Sequence, residues 1–415
     1  MTVGIVGLGY VGLPLAVAFA ETGSSVIGVD VDEAHVRALR EGSSPIEDVP
    51  DERLRELGDR LQFESSYGPL READAVLICV PTPLSANREP DLGPLREATE
   101  ALAGVLREGQ LVVLESTTYP GTTREVALTA LERSGLRAGE AFGLAYSPER
   151  VDPGSRHYTV RNTPKLVGGL TPACGDRAEE LYRTVCDDVV RLSTPEAAEL
   201  AKLLENIFRS VNIALVNEMA LLAHRMKIDI WEVIGAAATK PFGFMRFDPG
   251  PGMGGHCLPI DPFYLAWRAR QYDFPTEFIE LAGKVNQAQP YWCELRIVEA
   301  LNDAGKPVRG AKVLLVGVAY KPGVGDLRES PALKLVELLR AHGADVSYHD
   351  PYVPELPEQG LRSQPLEDAA RAADVAVIVT AHPQVDHRAL VDVAPLTVDL
   401  RGVTVGVDGP NLVRL

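Results

Sequence analysis

Short runs of Val, Ile and Leu alternate along the chain with longer stretches whose apolar residues recur at helical spacing. The alternation predicts a strand at Thr2–Val6, a helix over 12–22, a second strand over 25–30, and further strands over 75–80 and at Leu111–Leu114. Strands that are apolar throughout and separated by helices read as βαβ units on a parallel sheet covered on both faces. Around residue 193 the texture changes. Ser193-Thr194-Pro195-Glu196 reads as a helix start, with Ser193 as hydroxyl cap, Pro near the first helical position and Glu behind it. A helical pattern free of Gly and Pro then runs to about residue 225, enough for a rod about 45 Å long. Such a rod suits a connector between domains, and its apolar side suits a dimer contact. From Ala311 the strand–helix alternation resumes, with strands over 312–318, 345–348 and 375–380 and a helix over 332–342. The acidic, Pro-containing stretch 352–359 reads as a surface loop. The pattern predicts an α/β chain of two doubly wound domains joined by a helical core: 1–192, 193–300 and 301–415.

Composition narrows what these domains bind. The chain of 415 residues is 46% hydrophobic and carries a net charge of −17, with both signs spread along it. No basic run tracks a phosphate backbone, so nucleic acid is not an expected partner. Anionic ligands would need local devices, such as helix N-termini or a few placed Lys and Arg. The five cysteines (Cys79, Cys174, Cys186, Cys257, Cys293) are scattered and form no CxxC pair, which argues against structural zinc, and no metal is expected. Gly4, Gly7, Gly9 and Gly12 interrupt the apolar start, so it does not read as a secretory leader. No run of about 18 apolar residues suggests a membrane span. The expectation is a chain of the reducing cytoplasm.

Gly7-Leu8-Gly9-Tyr10-Val11-Gly12 follows the first strand and opens the first helix. In a dinucleotide turn the first glycine permits the bend, the second lets backbone approach the pyrophosphate, and the third lets helix and strand pack closely. The second strand ends at Asp30, where a carboxylate meets ribose hydroxyls and repels a 2′-phosphate. NAD is therefore the expected cofactor. Val80-Pro81-Thr82-Pro83 and Glu115-Ser116-Thr117-Thr118 follow later strands at the same carboxyl edge. The first is a ligand loop or an ordinary turn. The second orients substrate or water, or caps the helix starting near Thr122.

The segment from Pro249 to Pro262 carries Gly250, Gly252, Gly254 and Gly255 ahead of His256-Cys257, with Pro259 and Pro262 after it. Glycines admit close approach of a ligand, and prolines fix the exit path. With Asp261 as cap and a helix over 263–271, Cys257 would lie beside a helix N-terminus, which favours the thiolate. A small buried cysteine is the plain alternative, and it is the expectation for Cys79 and Cys186. His256 reads as a packing residue. On the long helix Lys202 and Asn206 stand at i and i+4 on one face, either as an oxyanion-stabilising pair or as a solvated stripe.

Taken together, these blocks resemble the UDP-glucose/GDP-mannose dehydrogenase family over essentially the whole chain. Ser147-Pro148-Glu149 and Tyr320-Lys321…Asp326-Leu327-Arg328-Glu329-Ser330-Pro331 complete the match. The resemblance implies two Rossmann-like domains joined by a long central helix, in a homodimer or larger homo-oligomer. It implies an enzyme that uses NAD for four-electron oxidation of a nucleotide sugar's 6-hydroxymethyl group to the carboxylate. Cys257 would be the nucleophile of a thioester route, with Lys202 and Asn206 steadying oxyanions and Asp261 supporting the thiol or its water. Thr117 and Glu149 would position and activate water. Gly7, Gly9, Tyr10, Val11, Gly12, Asp30, Pro81, Thr82, Thr117 and Arg328 would meet the cofactor. Glu149, Arg150, Lys202, Asn206, Gly252, Gly254, Gly255 and Lys321 would meet the sugar nucleotide.

In one respect the chain departs from the pattern. Many UDP-glucose enzymes of the family carry a second glutamate where this chain has Pro153, and the acidic neighbour Asp152 is out of register. The run 147–154, the His256-Cys257 pair and Lys240-Pro241-Phe242-Gly243-Phe244 look instead like the branch acting on UDP-N-acetylhexosamines. UDP-N-acetylglucosamine is the expected substrate, with UDP-glucose and UDP-N-acetylgalactosamine as rivals. Two other readings compete: a Rossmann dehydrogenase making a single hydride transfer, as in the 6-phosphogluconate type, and a non-catalytic nucleotide-sugar-binding protein.

Overall fold

The computed structural model describes residues 1–46, 48–85, 89–151, 157–255 and 258–415. Two compact units emerge: Met1–Glu205 with Phe263–Phe274, and Asn206–Pro262 with Pro275–Leu415.

The first unit is built on eight strands: β1 (Thr2–Val6), β2 (Ser25–Val29), β3 (Leu61–Glu64), β4 (Ala75–Ile78), β5 (Leu111–Leu114), β6 (Gly143–Tyr146), β7 (Lys165–Gly169) and β8 (Val189–Leu192). Their order is β3-β2-β1-β4-β5-β6-β7-β8, and among these pairs only β6 and β7 run antiparallel. The first six follow the dinucleotide-fold order 3-2-1-4-5-6, whose direction reverses between β1 and β4. β4 and β5 are buried at every position, as strands covered on both faces must be. The helix Gly12–Glu21 lays Leu13, Leu15, Ala16, Val17, Phe19 and Ala20 into that core.

The second unit holds a five-stranded parallel sheet of β9 (Lys312–Val316), β10 (Asp345–His349), β13 (Val375–Ile378), β14 (Thr397–Asp399) and β15 (Leu412–Arg414). Its order is β10-β9-β13-β14-β15, so its reversal lies between β9 and β13. Trp231, Ile297, Leu301, Leu315, Val336 and Tyr348 lie in its core. The stretch expected as a plain loop instead contains β11 (Glu355–Leu356), paired antiparallel with β12 (Leu361–Arg362), and a 3₁₀ turn at Pro357–Gln359. Alternating polar residues hid so short a ribbon.

The long central helix runs Pro195–Met226. Its cap is Thr194 rather than Ser193: with Pro195 at the first helical position, the Thr194 hydroxyl is placed to accept the Ala197 N–H, at 3.1 Å. The helix after the glycine segment runs Asp261–Arg270 and so includes Asp261. No helix among the described residues is long and apolar enough to cross a membrane. Nor do any three His, Cys, Asp or Glu among them stand together to hold a metal ion.

Candidate active site

At the end of β1 the chain turns at Gly7, whose φ is +89° and whose N–H donates to Val29 O at 2.8 Å. A Cβ on Gly7 would meet Cys79 O at 2.8 Å, and one on Gly12 would meet Gly7 O at 1.8 Å, so helix and strand approach as only glycines allow. A Cβ on Gly9 would meet nothing within 4 Å. That open space lies beside the N-terminus of Gly12–Glu21, where unpaired N–H groups and the helix dipole favour a pyrophosphate. Tyr10 is exposed there, and Val11 is half-buried. Asp30 closes the turn, accepting Leu8 N–H at 2.8 Å on one oxygen and Asp32 N–H at 3.0 Å on the other. Each oxygen keeps a lone pair for a ribose hydroxyl. These residues fit NAD. Asp30→Ala is expected to weaken NAD about 10-fold or more while affecting NADP less, measured by titration. An equal loss for both would mean the carboxylate does not read the ribose.

The two edge loops are stitched together. Thr82 Oγ1 donates to Thr117 O at 2.7 Å, and Ser116 Oγ donates to Val80 O at 2.7 Å. Pro81 is exposed and Thr82 half-buried. The Tyr264 hydroxyl donates to Thr82 O at 2.8 Å. Of the three hydroxyls after Glu115, Ser116 is thus engaged with backbone and Thr118 is fully buried, while Thr117 is partly open. Beyond them Glu199, a residue the sequence reading passed over, accepts Gly121 N–H at 2.6 Å, Thr123 N–H at 2.9 Å and the Thr123 hydroxyl at 2.7 Å. Burial pushes its carboxyl up to about 7 against those three bonds.

Glu149 follows β6 at the same edge. One of its oxygens accepts the N–H groups of Arg150 and Val151 at 2.7 and 2.6 Å, and the other accepts Lys165 Nζ at 3.2 Å. Burial alone would raise its pKa; the Lys165 charge and the two backbone bonds outweigh it and hold the carboxyl below its ordinary value. Arg150 forks onto Glu205 at 2.7 and 3.2 Å and donates to Pro164 O at 2.5 Å, so its guanidinium braces the first unit. Asp152 and Pro153 lie outside the described residues. Lys202 is half-buried on the long helix one turn before Asn206.

In the second unit, Asn206 Nδ2 donates to Asp261 Oδ2 at 2.5 Å, and both residues are buried. His256 and Cys257 lie outside the described residues, but the glycine segment before them is held on both sides. Gly250 N–H donates to Asn217 Oδ1 at 3.0 Å, Asn217 Nδ2 donates to Asn286 Oδ1 at 3.0 Å, and Asn286 Nδ2 donates to Ser210 O at 3.0 Å. Gly255 N–H donates to Arg328 O at 2.8 Å. A Cβ on Gly254 would stand 2.6 Å from Tyr320 Cβ, and one on Gly255, whose φ is +82°, would stand 2.9 Å from the Tyr320 ring. Gly252, with φ at +134°, lies near Pro331. These glycines therefore let the segment ahead of Cys257 pack directly on the loop carrying Lys321 and Arg328. Arg328 pairs with Asp326, and Lys321 Nζ lies 6.0 Å from the centre of the Tyr320 ring.

That loop rises from a turn that repeats the dinucleotide turn. Gly317 N–H donates to His349 O at 2.8 Å, and Asp350 Oδ2 accepts Val318 N–H at 2.7 Å, as Asp30 does for Leu8. The repeat departs where a ligand would enter: Ala319 stands in place of Gly9, fully buried, and His382 Nε2 lies 3.0 Å from Asp350 Oδ2 with neither side chain exposed. The second sheet keeps the bend without the open cradle. No glycine repeat signals this in the sequence, since only Gly317 survives.

Thr117, Glu149, Arg150 and Lys202 thus belong to the first unit, and Asn206, Asp261, Gly252, Gly254, Gly255, Lys321 and Arg328 to the second. The sequence reading missed Lys165, Tyr182, Asn217, Asn286, Asp350 and His382. Each finds its partner far along the chain, and no spacing marks such a residue as paired.

Comparison with known proteins agrees with this geometry. Residues 1–186 match the NAD binding domain of the UDP-glucose/GDP-mannose dehydrogenase family, 196–288 its central domain and 314–406 its UDP binding domain. The chain is 39% identical over 388 residues to a UDP-N-acetyl-D-mannosamine dehydrogenase of Pyrococcus horikoshii, covering 92% of this chain and 90% of that protein. It is 37% identical over 355 residues to a UDP-N-acetyl-D-glucosamine 6-dehydrogenase of Pseudomonas aeruginosa, covering 85% of this chain and 83% of that one. A solved structure of the UDP-D-ManNAc dehydrogenase from Pyrococcus horikoshii superposes with a TM-score of 0.90 at 34% identity, covering 100% of this chain and 99% of that one. The glycine turn with its Asp30, the two doubly wound sheets and the helix between them are those of a dehydrogenase, and the chain belongs to the UDP-glucose/GDP-mannose dehydrogenase family as an NAD-dependent enzyme acting on UDP sugars.

Proposed function

We propose that the chain oxidises the 6-hydroxymethyl group of a UDP-N-acetylhexosamine to the uronate through a thioester on Cys257. The observation that carries this reading is the 2.5 Å bond from Asn206 to the buried Asp261. It ties an amide donor on the long helix to the segment that immediately follows Cys257. NAD held at the glycine turn by Gly7, Gly9, Gly12 and Asp30 would supply the hydride acceptor, one NAD for each of the two successive oxidations at C6. Between them the Cys257 thiolate adds to the aldehyde, so the second hydride leaves a tetrahedral carbon and yields the thioester. Lys202 and Asn206 stabilise the oxyanion, the one as a positive charge and the other as an amide donor. Water then displaces the thiol and completes the acid. Thr117 orients that water, and Glu149, held ionised, accepts its hydrogen bond. Lys321 holds the uridine diphosphate end, and Arg328 serves the cofactor side.

UDP-N-acetylglucosamine, the expectation from sequence, and UDP-N-acetylmannosamine, named for the Pyrococcus relative, differ only at C2, remote from the reacting C6. Both are carried as substrates of this reading. Exposed Leu204, Phe208, Leu215, Met219 and Leu222 form one stripe along the long helix and support a homodimer. A thiol nucleophile suits the reducing cytoplasm.

The test is NADH release against UDP-N-acetylglucosamine, UDP-N-acetylmannosamine, UDP-N-acetylgalactosamine and UDP-glucose. Two NADH per sugar, with an N-acetylated sugar preferred, are expected. One NADH with a ketone product would sink the thioester route, and tight binding without turnover on the whole panel would favour a binding protein.

A further inference from the structure

The first unit buries more charge at the edge of its sheet than its fold requires. Lys165, the first residue of β7, has a side chain only 5% exposed, and Glu115, at the end of β5, is fully buried. Lys165 Nζ donates to Glu115 Oε2 at 2.7 Å and to Glu149 Oε2 at 3.2 Å. The Tyr182 hydroxyl, from the helix Pro172–Tyr182, donates to the other Glu115 oxygen. The thiols of Cys79 and Cys186 also face this group, Asp187 acts on Cys186, and Arg150 with Glu205 flanks Glu149. One cation thus serves two carboxylates. A purely structural pair needs only one, and buried ion pairs are weak stabilisers in any case. The second carboxylate, Glu149, keeps 16% of its side chain exposed at the edge where the sheet binds ligands.

We propose that Lys165 is a positioning residue for thioester hydrolysis, holding the Glu149 carboxylate ionised and in one orientation, with Glu115 setting how much of the Lys165 charge Glu149 receives. This rests on the role given to Glu149 above. Burial pushes the Glu115 carboxyl up to about 7 despite Lys165, so near neutrality Glu115 is partly protonated. Each Glu115 that takes a proton leaves Lys165 to Glu149 alone. Burial would lower the Lys165 pKa, but Glu115 and Glu149 raise it, and the ammonium stays charged throughout.

Lys165→Met alone would leave two carboxylates facing each other, so the informative variants are Glu115→Gln and the double variant Lys165→Met with Glu115→Leu, which removes the buried pair together. Glu149 is followed by ¹³C-carboxylate NMR on glutamate-labelled protein, assigned against Glu149→Gln. In the double variant the Glu149 midpoint is expected to rise by about one pH unit or more, and the acid limb of the pH profile for acid release to move up by the same amount while that of the first oxidation stays in place. In Glu115→Gln the midpoint is expected at or below that of the wild type. A folded double variant whose Glu149 midpoint has not moved overturns the inference, whether or not the enzyme turns over. A shifted midpoint in a protein inactive on every UDP sugar supports the inference about Lys165 while defeating the proposed reaction.

Discussion

Cys257→Ser is expected to lower acid formation on the order of 10³-fold or more, with substrate binding nearly unchanged. A serine hydroxyl is far less acidic than a thiol, and an ester leaves more slowly than a thioester under attack by water. The variant should therefore stall after the aldehyde or accumulate a slowly hydrolysed ester. Single-turnover NADH release with mass spectrometry of the intact protein distinguishes the two. Acid formation at the wild-type rate would rule out covalent catalysis. Asn206→Ala gives a complementary comparison: it leaves the buried Asp261 without its 2.5 Å amide partner, so it should lose turnover while retaining NAD affinity.

The glycine turn offers the second large effect. Gly12→Ala puts a Cβ 1.8 Å from Gly7 O, a contact backbone cannot relieve without moving the helix Gly12–Glu21 off its sheet. A loss on the order of 3 kcal/mol in stability is expected together with loss of NAD binding. Gly9→Ala adds its methyl where no protein atom lies within 4 Å. The fold should therefore keep its melting temperature while NAD binds at least about tenfold more weakly, because the methyl takes the space of the pyrophosphate. Thermal melts and NAD titrations on the pair separate packing from ligand approach. If Gly9→Ala binds NAD like the wild type, the open space beside Gly9 is not the pyrophosphate site.

The repeated turn is under the same steric constraint. Gly317 has φ at +82°, and its Cβ would lie 2.1 Å from Thr380 O. Gly7 and Gly317 hold corresponding positions after β1 and β9, against Cys79 and Thr380 after β4 and β13. The first sheet follows its turn with Gly9 and Gly12. The second follows with Ala319 and Pro322, and seals its aspartate under His382. One bend is thus used for an open dinucleotide cradle, and again as the base of the loop bearing Lys321 and Arg328.

Much of this was legible from the sequence, for physical reasons that differ by element. β1, β5 and the helix of the first βαβ unit were readable because doubly buried strands must be apolar throughout and helices must show their own period. The glycine turn was readable because the backbone at Gly7 and Gly12 tolerates no Cβ, which confines the residue type at those offsets. That Lys202 and Asn206 share one face of the helix Pro195–Met226 followed from 3.6 residues per turn. Family resemblance then supplied roles that spacing alone left open.

Other features exist only once the chain is folded. Asn206 and Asp261 meet across 55 positions, Lys165 and Glu115 across 50, and Asn217 and Asn286 across 69, distances over which no local period carries information. The four glycines ahead of Cys257 are visible in the sequence, but the close approach of Gly254 and Gly255 to Tyr320 is seen only in the tertiary structure. The fold likewise sets the Arg150 guanidinium on Glu205 and gives Glu149 two backbone N–H donors on one oxygen and Lys165 on the other. The physical reason is the same in each case. Apolar periodicity and backbone sterics are local properties, written residue by residue, whereas the partner of a buried charge is chosen by topology.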